Sequence, residues 1–379
     1  MTWTRELWKI SKPFSINPFI QSFNNRAMKT LPGKSAYVGT LPLGCTMCAK
    51  GAKMVLFVSG ICDAKCFYCP ISEPKKMKDV MYADEMPLRN MKDAIFEAKM
   101  IQATGTGITG GDPLKYYERT AEYIKILKEE FGESHHIHLY SISGSKNAIE
   151  IVGKAGLDEI RFHPPEEIWN YMDRSIFKDR IKWSRDMGMS VGIEVPSIPG
   201  RVEETKALID FCRRMDLDFI NLNELEFSET NYSNLLGRNY EVKNDVESGA
   251  KGSQELAIQM VRESNDFTVH YCSASFKDGV QLKNRLKRRA KNIARPTDVV
   301  TRDGTVIKGI VQGGEMDEMV EALMNLGIPR SDMQINSIKR RVEIAPWIID
   351  DLKGKIEFEI YQIEEYPTWD AIEVERVKI

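Results

Sequence analysis

The chain has 379 residues, 42% hydrophobic and 28% charged, with 53 Lys and Arg against 55 Asp and Glu. That length buries an ample core and accommodates one large domain plus a smaller one. A formal charge of -2 excludes a global attraction to nucleic acid or a membrane surface, and no apolar run approaches the ~18 residues of a membrane span.

Residues 1–52 read as an N-terminal extension. It opens without the apolar stretch of a secretory signal, and its aromatics Trp3, Trp8, Phe14, Phe19 and Phe23 suit capping a core. Cys45 and Cys48 stand near its end as a C-x2-C pair flanked by Gly44 and Gly51. Seven cysteines without regular pairing argue against a disulfide framework and for a reducing cytoplasm.

From 53 to 224, short apolar runs alternate with helical patterns. A first strand is expected at 54–59, leading into Cys62, Cys66 and Cys69. Asn90 is an N-cap with Asp93 in the first turn. Ala94, Ile95, Ala98 and Ile101 follow at helical spacing, and Gly105 closes the segment. A second strand at 107–109 ends in Gly110, Gly111, Asp112 and Pro113. Ala121, Ile124, Leu127 and Phe131 share a helical face stopped by Gly132. Strands are then expected at 138–142, 159–162, 190–195 and 219–223. Helices separate them near 145–153, in a longer stretch ending at Gly188, and at 202–215. Six β-then-α units in series imply parallel strands with right-handed crossovers, which a doubly wound sheet and an open barrel both satisfy.

Residues 253–264 read as a helix and 267–271 as a seventh strand. In the helix expected at 279–294, Leu282, Leu286, Ala290 and Ile293 form an apolar stripe. The opposite face carries Lys283, Arg285, Lys287, Arg288, Arg289 and Lys291, and the basic stretch runs on to Arg295. Such a face suits RNA phosphates, and equally a solvated surface balancing acids elsewhere. From 295 to 379 the texture becomes a small α+β domain. A hairpin turns at Asp303 and Gly304, a helix spans 317–325, and strands lie near 333–341, 355–362 and 371–378.

The cysteine triplet carries the chemistry. A compact iron–sulfur cubane needs several soft ligands on a short loop. Four irons and three thiolates leave one iron open to a reactant. Zinc motifs usually pair their cysteines as two C-x2-C units, which this triplet does not. Cys45 and Cys48 with Cys272 suit an auxiliary iron–sulfur cluster; with His270 added, the set suits structural zinc. An accidental C-x2-C is the third option, and Cys212 reads as core.

The spacing C-x3-C-x2-C, with Tyr68 before the last cysteine, and the run from Gly110 to Pro113 resemble the radical SAM (S-adenosylmethionine) superfamily over residues 50–225. The chain as a whole resembles archaeal radical SAM proteins related to pyruvate formate-lyase activating enzymes. The resemblance implies an α/β fold, a partial (β/α)6 TIM-like barrel within 53–294, followed by the small C-terminal domain. It implies that Cys62, Cys66 and Cys69 hold a [4Fe–4S] cluster that reductively cleaves SAM to a 5′-deoxyadenosyl radical. It places Tyr68 near the adenine, Gly110, Gly111 and Asp112 at the ammonium, Ser141 and Ser143 at the ribose, and Arg161 at the carboxylate. Asp112 stands where the family commonly has the longer Glu. His163, Glu194, Asn221, Asn223 and Glu224, at strand ends, are the further pocket candidates. The implied partners are an electron donor of flavodoxin or ferredoxin type and a macromolecular substrate, RNA or protein. Activation of a glycyl-radical enzyme is the alternative. A non-catalytic, metal-dependent RNA-binding protein is a third.

Overall fold

A computed structural model of the chain describes residues 27–379. The expected core-capping aromatics from Trp3 to Phe23 lie outside the described residues.

Seven parallel strands form the centre: β1 (Lys53–Phe57), β2 (Gly105–Thr109), β3 (His136–Ser141), β4 (Glu159–Phe162), β5 (Ser190–Ser197), β6 (Phe219–Glu224) and β7 (Val269–Cys272). They pair in strict chain order, each parallel to the next. A doubly wound sheet reverses its strand order at a switch point; this one does not. The core is a partial TIM-like barrel, left open. Its two edges are covered by short antiparallel strands, Ala36–Val38 on β7 and Tyr82–Ala83 on β1.

The first helix, α1 (Leu43–Ala49), precedes β1. The helices that follow the strands are α2 (Met91–Met100), α3 (Tyr117–Phe131), α4 (Lys146–Lys154), α5 (Phe177–Asp186), α6 (Val202–Arg214) and α7 (Ser253–Glu263). Asn90 and Asp93 close a capping box at the start of α2, as their spacing predicts. Gly105 does not end that helix but opens β2, because Ile101 already terminates the last turn. The single helix expected before Gly188 is a 3-10 segment, Glu166–Arg174, followed by α5.

The strand alternation has a consequence for the site. On β3 to β7 one parity is apolar and fully buried: Ile137, Leu139, Ile160, Phe162, Ile193, Val195, Ile220, Leu222 and Val269. The other parity carries His136, His138, Tyr140, Glu159, Arg161, Glu194, Asn221, Asn223 and His270. The apolar residues join the helices in one hydrophobic cluster, so the polar set faces the barrel interior.

Beyond β7, a π-helical turn at Lys277–Leu282 leads into the basic helix α8 (Lys283–Ile293). The C-terminal residues build a six-stranded sheet, with β8 (Val306–Gln312), β9 (Arg341–Ile344), β10 (Glu359–Glu365) and β11 (Glu373–Lys378) as its main strands. Helix α9 (Met316–Asn325) packs Met319 and Leu323 onto Val311, Val342, Ile344 and Ile360. Elsewhere in this sheet Arg341 bridges Glu343 and Glu365 at 2.7 and 2.8 Å. Trp369 ties the sheet to the barrel by donating to the Glu85 carbonyl at 2.9 Å.

Candidate active site at the open end of the barrel

A cavity of about 400 Å³ lies at the C-terminal ends of the strands. Cys62, Cys66, Cys69 and Tyr68 form part of its wall; Gly110, Gly111, Ser141, Glu194 and Asn223 form much of the rest. All seven strands, or the segments that follow them, therefore contribute, His163 standing after β4 and Lys277 after β7.

The cysteine loop is held from two sides. Cys69 N donates to Cys66 O at 3.2 Å within the loop. From the segment after β6, Asn231 Nδ2 donates to Tyr68 O at 3.0 Å and Thr230 Oγ1 to Cys69 O at 3.3 Å. Phe67 stacks on Tyr240 with centroids 6.0 Å apart. Burial raises the Cys62 thiol and pushes Cys66 up to about 11. Both favour the protonated form at neutral pH, and a coordinating metal is what deprotonates such a thiol.

The turn after β2 explains its glycines. Gly111 N donates to Ser59 O at 2.7 Å and Asp112 N to Ile61 O at 3.1 Å. A Cβ on Gly110 would sit 2.4 Å from Ser59 O, and one on Gly111 would sit 2.4 Å from Ile61 O. No side chain fits there, so the turn packs directly on the segment entering the cysteine loop. Asp112 is 1% exposed. Its Oδ1 accepts from Leu114 N at 3.1 Å and from Ser141 Oγ at 2.8 Å.

Beneath the cavity the interior parity forms one network. Arg161 donates to Glu159 at 2.5 Å and to Glu194 at 2.7 Å. Glu194 also accepts from Asn221 at 2.8 Å and Asn223 at 2.9 Å. Burial raises the Glu194 pKa, but Arg161 and the two amides outweigh it, and the net shift is downward. Deeper, Lys53 Nζ lies 2.8 Å from His136 Nδ1 and 2.9 Å from His138 Nδ1. Burial brings its pKa down to about 7.

Three thiols on one nucleoside-sized cavity, beside a glycine turn that admits no Cβ, fit a three-ligand iron–sulfur cluster and SAM. Among the described residues no three His, Cys, Asp or Glu converge closely enough for a single metal ion.

A family model for the radical SAM superfamily matches residues 56–212, and one for a domain of unknown function (DUF8061) matches 304–379. A protein of Methanocaldococcus jannaschii, provisionally named a glycyl-radical enzyme activating enzyme, is 38% identical over 352 residues, covering 89% of this chain and 93% of that protein. The chain belongs to the radical SAM superfamily. Among solved structures, Streptococcus suis SuiB bound to S-adenosylmethionine is 14% identical at a TM-score of 0.40, covering 59% of this chain and 50% of SuiB. Coproporphyrinogen III oxidase (HemN) from Escherichia coli, described as a radical SAM enzyme, is 10% identical at a TM-score of 0.33, covering 80% of this chain and 90% of that one.

This radical SAM protein is an enzyme, so the expectation of a non-catalytic RNA-binding protein falls. SAM and a [4Fe–4S] cluster are the cofactors the family implies, and reductive cleavage of SAM is its general reaction. Among the described residues, no helix is long and apolar enough to cross a membrane.

Some expected site residues sit elsewhere than at the cavity wall. Arg161 does not line it: its Nε and Nη1 are taken by Glu159 and Glu194, and it is 2% exposed. Asp112 and Ser143 also stand behind the wall, with Ser143 N and O both bonded to Ser141 Oγ at 3.1 Å. Cys45, Cys48 and Cys272 are not at the cavity. Cys45 lies on α1 inside the barrel, where Asn221 Nδ2 donates to its sulfur at 3.3 Å. Cys272 accepts from Gln281 at 3.5 Å.

The basic face of α8, which suits RNA phosphates or a surface balancing acids elsewhere, is largely engaged within the protein. Arg285 pairs with Asp84 at 2.8 Å, and Arg289 is buried against Glu97 and the Pro367 carbonyl. Arg288 donates to the carbonyls of Ile101 and Gln102. Lys283 pairs with Asp303, and Arg295 pairs with Asp298. A helix that must pack on α2 needs those charges for its own neighbours.

No motif in the sequence marks Lys53, Tyr140, Asn231, Glu226 or Lys277. The last two pair with each other in the cavity wall. The i, i+2 spacing of His136, His138 and Tyr140 was the available signal for a polar interior face.

Proposed function

We propose that the thiolates of Cys62, Cys66 and Cys69 hold a [4Fe–4S] cluster and that the enzyme uses its radical on a protein substrate. The carrying observation is that the three thiols open onto the same cavity as Gly110, Gly111, Ser141, Glu194 and Asn223. Cys62, Cys66 and Cys69 would hold the cluster, which when bound would supply the electron for reductive cleavage of SAM.

The chain's residues bind and orient. The Tyr68 ring, the backbone of Gly110 and Gly111, and the Ser141 hydroxyl contact SAM. Asn223 gives its amide N–H to Glu194, which leaves its Oδ1 as an acceptor toward the cavity. Asp112, Ser143 and Arg161 act one layer back. Asp112 and Ser143 fix Ser141, and Arg161 keeps Glu194 ionised. Cys45, Cys48 and Cys272 remain candidates for an auxiliary cluster.

A polypeptide substrate is favoured over RNA by two things. The cations of α8 are mostly paired internally, and the Methanocaldococcus relative carries the name of an activating enzyme over nearly its full length. Anaerobic reconstitution with iron, sulfide, SAM and dithionite tests the chemistry. Wild type should release 5′-deoxyadenosine and methionine, and the triple alanine variant at Cys62, Cys66 and Cys69 should release neither. Mass profiling of a host lacking the protein tests the substrate. A missing modified peptide or protein radical supports this reading, and a missing modified nucleoside overturns it.

A further inference from the structure

The polar interior of the barrel meets the cavity at Tyr140, and there a hydroxyl hydrogen is left over. The chain of bonds starts at Lys53, buried on β1. Its Nζ donates to the carbonyls of Thr106 at 3.1 Å and His136 at 2.8 Å, and it lies against Nδ1 of both His136 and His138. An ammonium has no lone pair, so neither Nδ1 can carry a hydrogen toward it. Burial holds His138 neutral, well below its usual pKa, and a neutral imidazole carries one hydrogen. In His138 that hydrogen is therefore on Nε2, which lies 3.0 Å from the Tyr140 hydroxyl oxygen.

The second partner of Tyr140 is also a donor, Arg161 Nη1 at 3.4 Å. A phenol that accepts from both still has its own hydrogen to give. Among the described residues that hydrogen has no acceptor. Burial keeps the phenol protonated, well above its usual pKa, and Tyr140 lines the cavity. Tyr68 and Ser141 share the same wall, but they give their hydroxyl hydrogens to His163 at 2.9 Å and to Asp112 at 2.8 Å. A hydroxyl held from behind by two donors and open in front is pre-set to meet an acceptor on a bound molecule.

We propose that the Tyr140 hydroxyl donates a hydrogen bond to a carbonyl or carboxylate oxygen of a molecule held in the cavity, with His138 and Lys53 as the residues that fix its direction. The inference deepens the reading of this cavity as the site for SAM and a polypeptide, and it rests on that reading. Two sources offer such an oxygen: the methionine carboxylate of SAM and a peptide carbonyl of the substrate.

The test compares wild type with Tyr140→Phe at pH 6, where Lys53 carries its proton. SAM binding to the reconstituted protein is read by equilibrium dialysis without reductant, so that nothing turns over. Substrate binding is read with dithionite present, as the amount of protein fraction from a host lacking the enzyme that half-saturates 5′-deoxyadenosine release. Tyr140→Phe should weaken one of the two by between about threefold and tenfold, the loss of one neutral hydrogen bond, and leave the other within about twofold. Weaker SAM binding assigns the acceptor to the SAM carboxylate, and a higher half-saturating amount assigns it to the peptide. Both unchanged overturns the proposal, because the hydroxyl then serves the buried network alone. If the phenylalanine variant fails to fold, 3-fluorotyrosine at position 140 takes its place. Its more acidic hydroxyl donates more strongly and should tighten the same binding at least about twofold, and unchanged binding again overturns the proposal. A wild type that binds SAM but releases no 5′-deoxyadenosine with dithionite sinks the cluster reading instead, and leaves the dialysis comparison intact.

Discussion

The Tyr68 hydroxyl donates to Nε2 of His163 at 2.9 Å, and His163 donates from Nδ1 to the Glu194 carbonyl at 2.7 Å. A carbonyl can only accept, so Nδ1 carries the imidazole proton and Nε2 is left to receive the phenol's. One neutral histidine thus fastens the cysteine loop to β4 and β5. Tyr68→Phe should remove that fastening and leave a partly buried Nε2 without its donor, at a cost of about 1 kcal/mol. Iron retained after gel filtration of the reconstituted variant should fall while its circular dichroism stays that of wild type. Full iron retention would show that the loop is held without this bond.

The glycine turn makes a steric prediction. Gly111→Ala brings a Cβ within 2.7 Å of both the Ile61 and Gly60 carbonyl oxygens. Backbone must move, at about 1–3 kcal/mol, and it is the backbone that leads into Cys62. A lowered urea midpoint together with poorer cluster loading is the expected pair of results. An unchanged midpoint would mean that the turn and the loop are not in contact.

Arg161 sits between two carboxylates, with 2% of its side chain exposed. Arg161→Met should cost about 3–5 kcal/mol, because Glu159 and Glu194 are left buried without a cation. Denaturant unfolding measures this, and a loss below about 1 kcal/mol would contradict the buried network.

Four of the five histidines are buried, and His163 is partly so. Burial lowers His135, His136 and His270 to about 4, and it also lowers His138 and His163. The unfolded chain takes up those protons near pH 6.5 and the folded chain resists them. Their contribution is therefore complete above pH 6.5 and is lost as pH falls toward 4, by up to about 1.4 kcal/mol per pH unit for each imidazole. Urea midpoints at pH 7.5, 6 and 5 should decline steadily. A flat profile over that range would refute neutral burial.

On α8, Arg289→Ala strands Glu97, which is 3% exposed, and should cost about 3 kcal/mol. Lys287→Ala with Lys291→Ala should stay within about 0.5 kcal/mol of wild type. Neither variant should change RNA retention on a salt gradient. A clear drop for the lysine pair would restore the nucleic-acid surface.

The sequence by itself determined the chemistry and the strand series. The Cys62, Cys66 and Cys69 spacing is covalent and local, so it survives any folding. The apolar parity of each strand and the cap at Asn90 are local as well, and six core strands appear within a few residues of their expected places. Tertiary structure alone decided where side chains point once elements meet. Arg161 turned toward Glu194, 33 residues away on β5, rather than toward the cavity mouth. Cys45 went inside the barrel because α1 packs against β1, β2 and β3. The cations of α8 met acids and carbonyls up to 192 residues distant. A charge in the sequence carries no record of its partner, since pairing across a fold depends on register and packing rather than on neighbours along the chain.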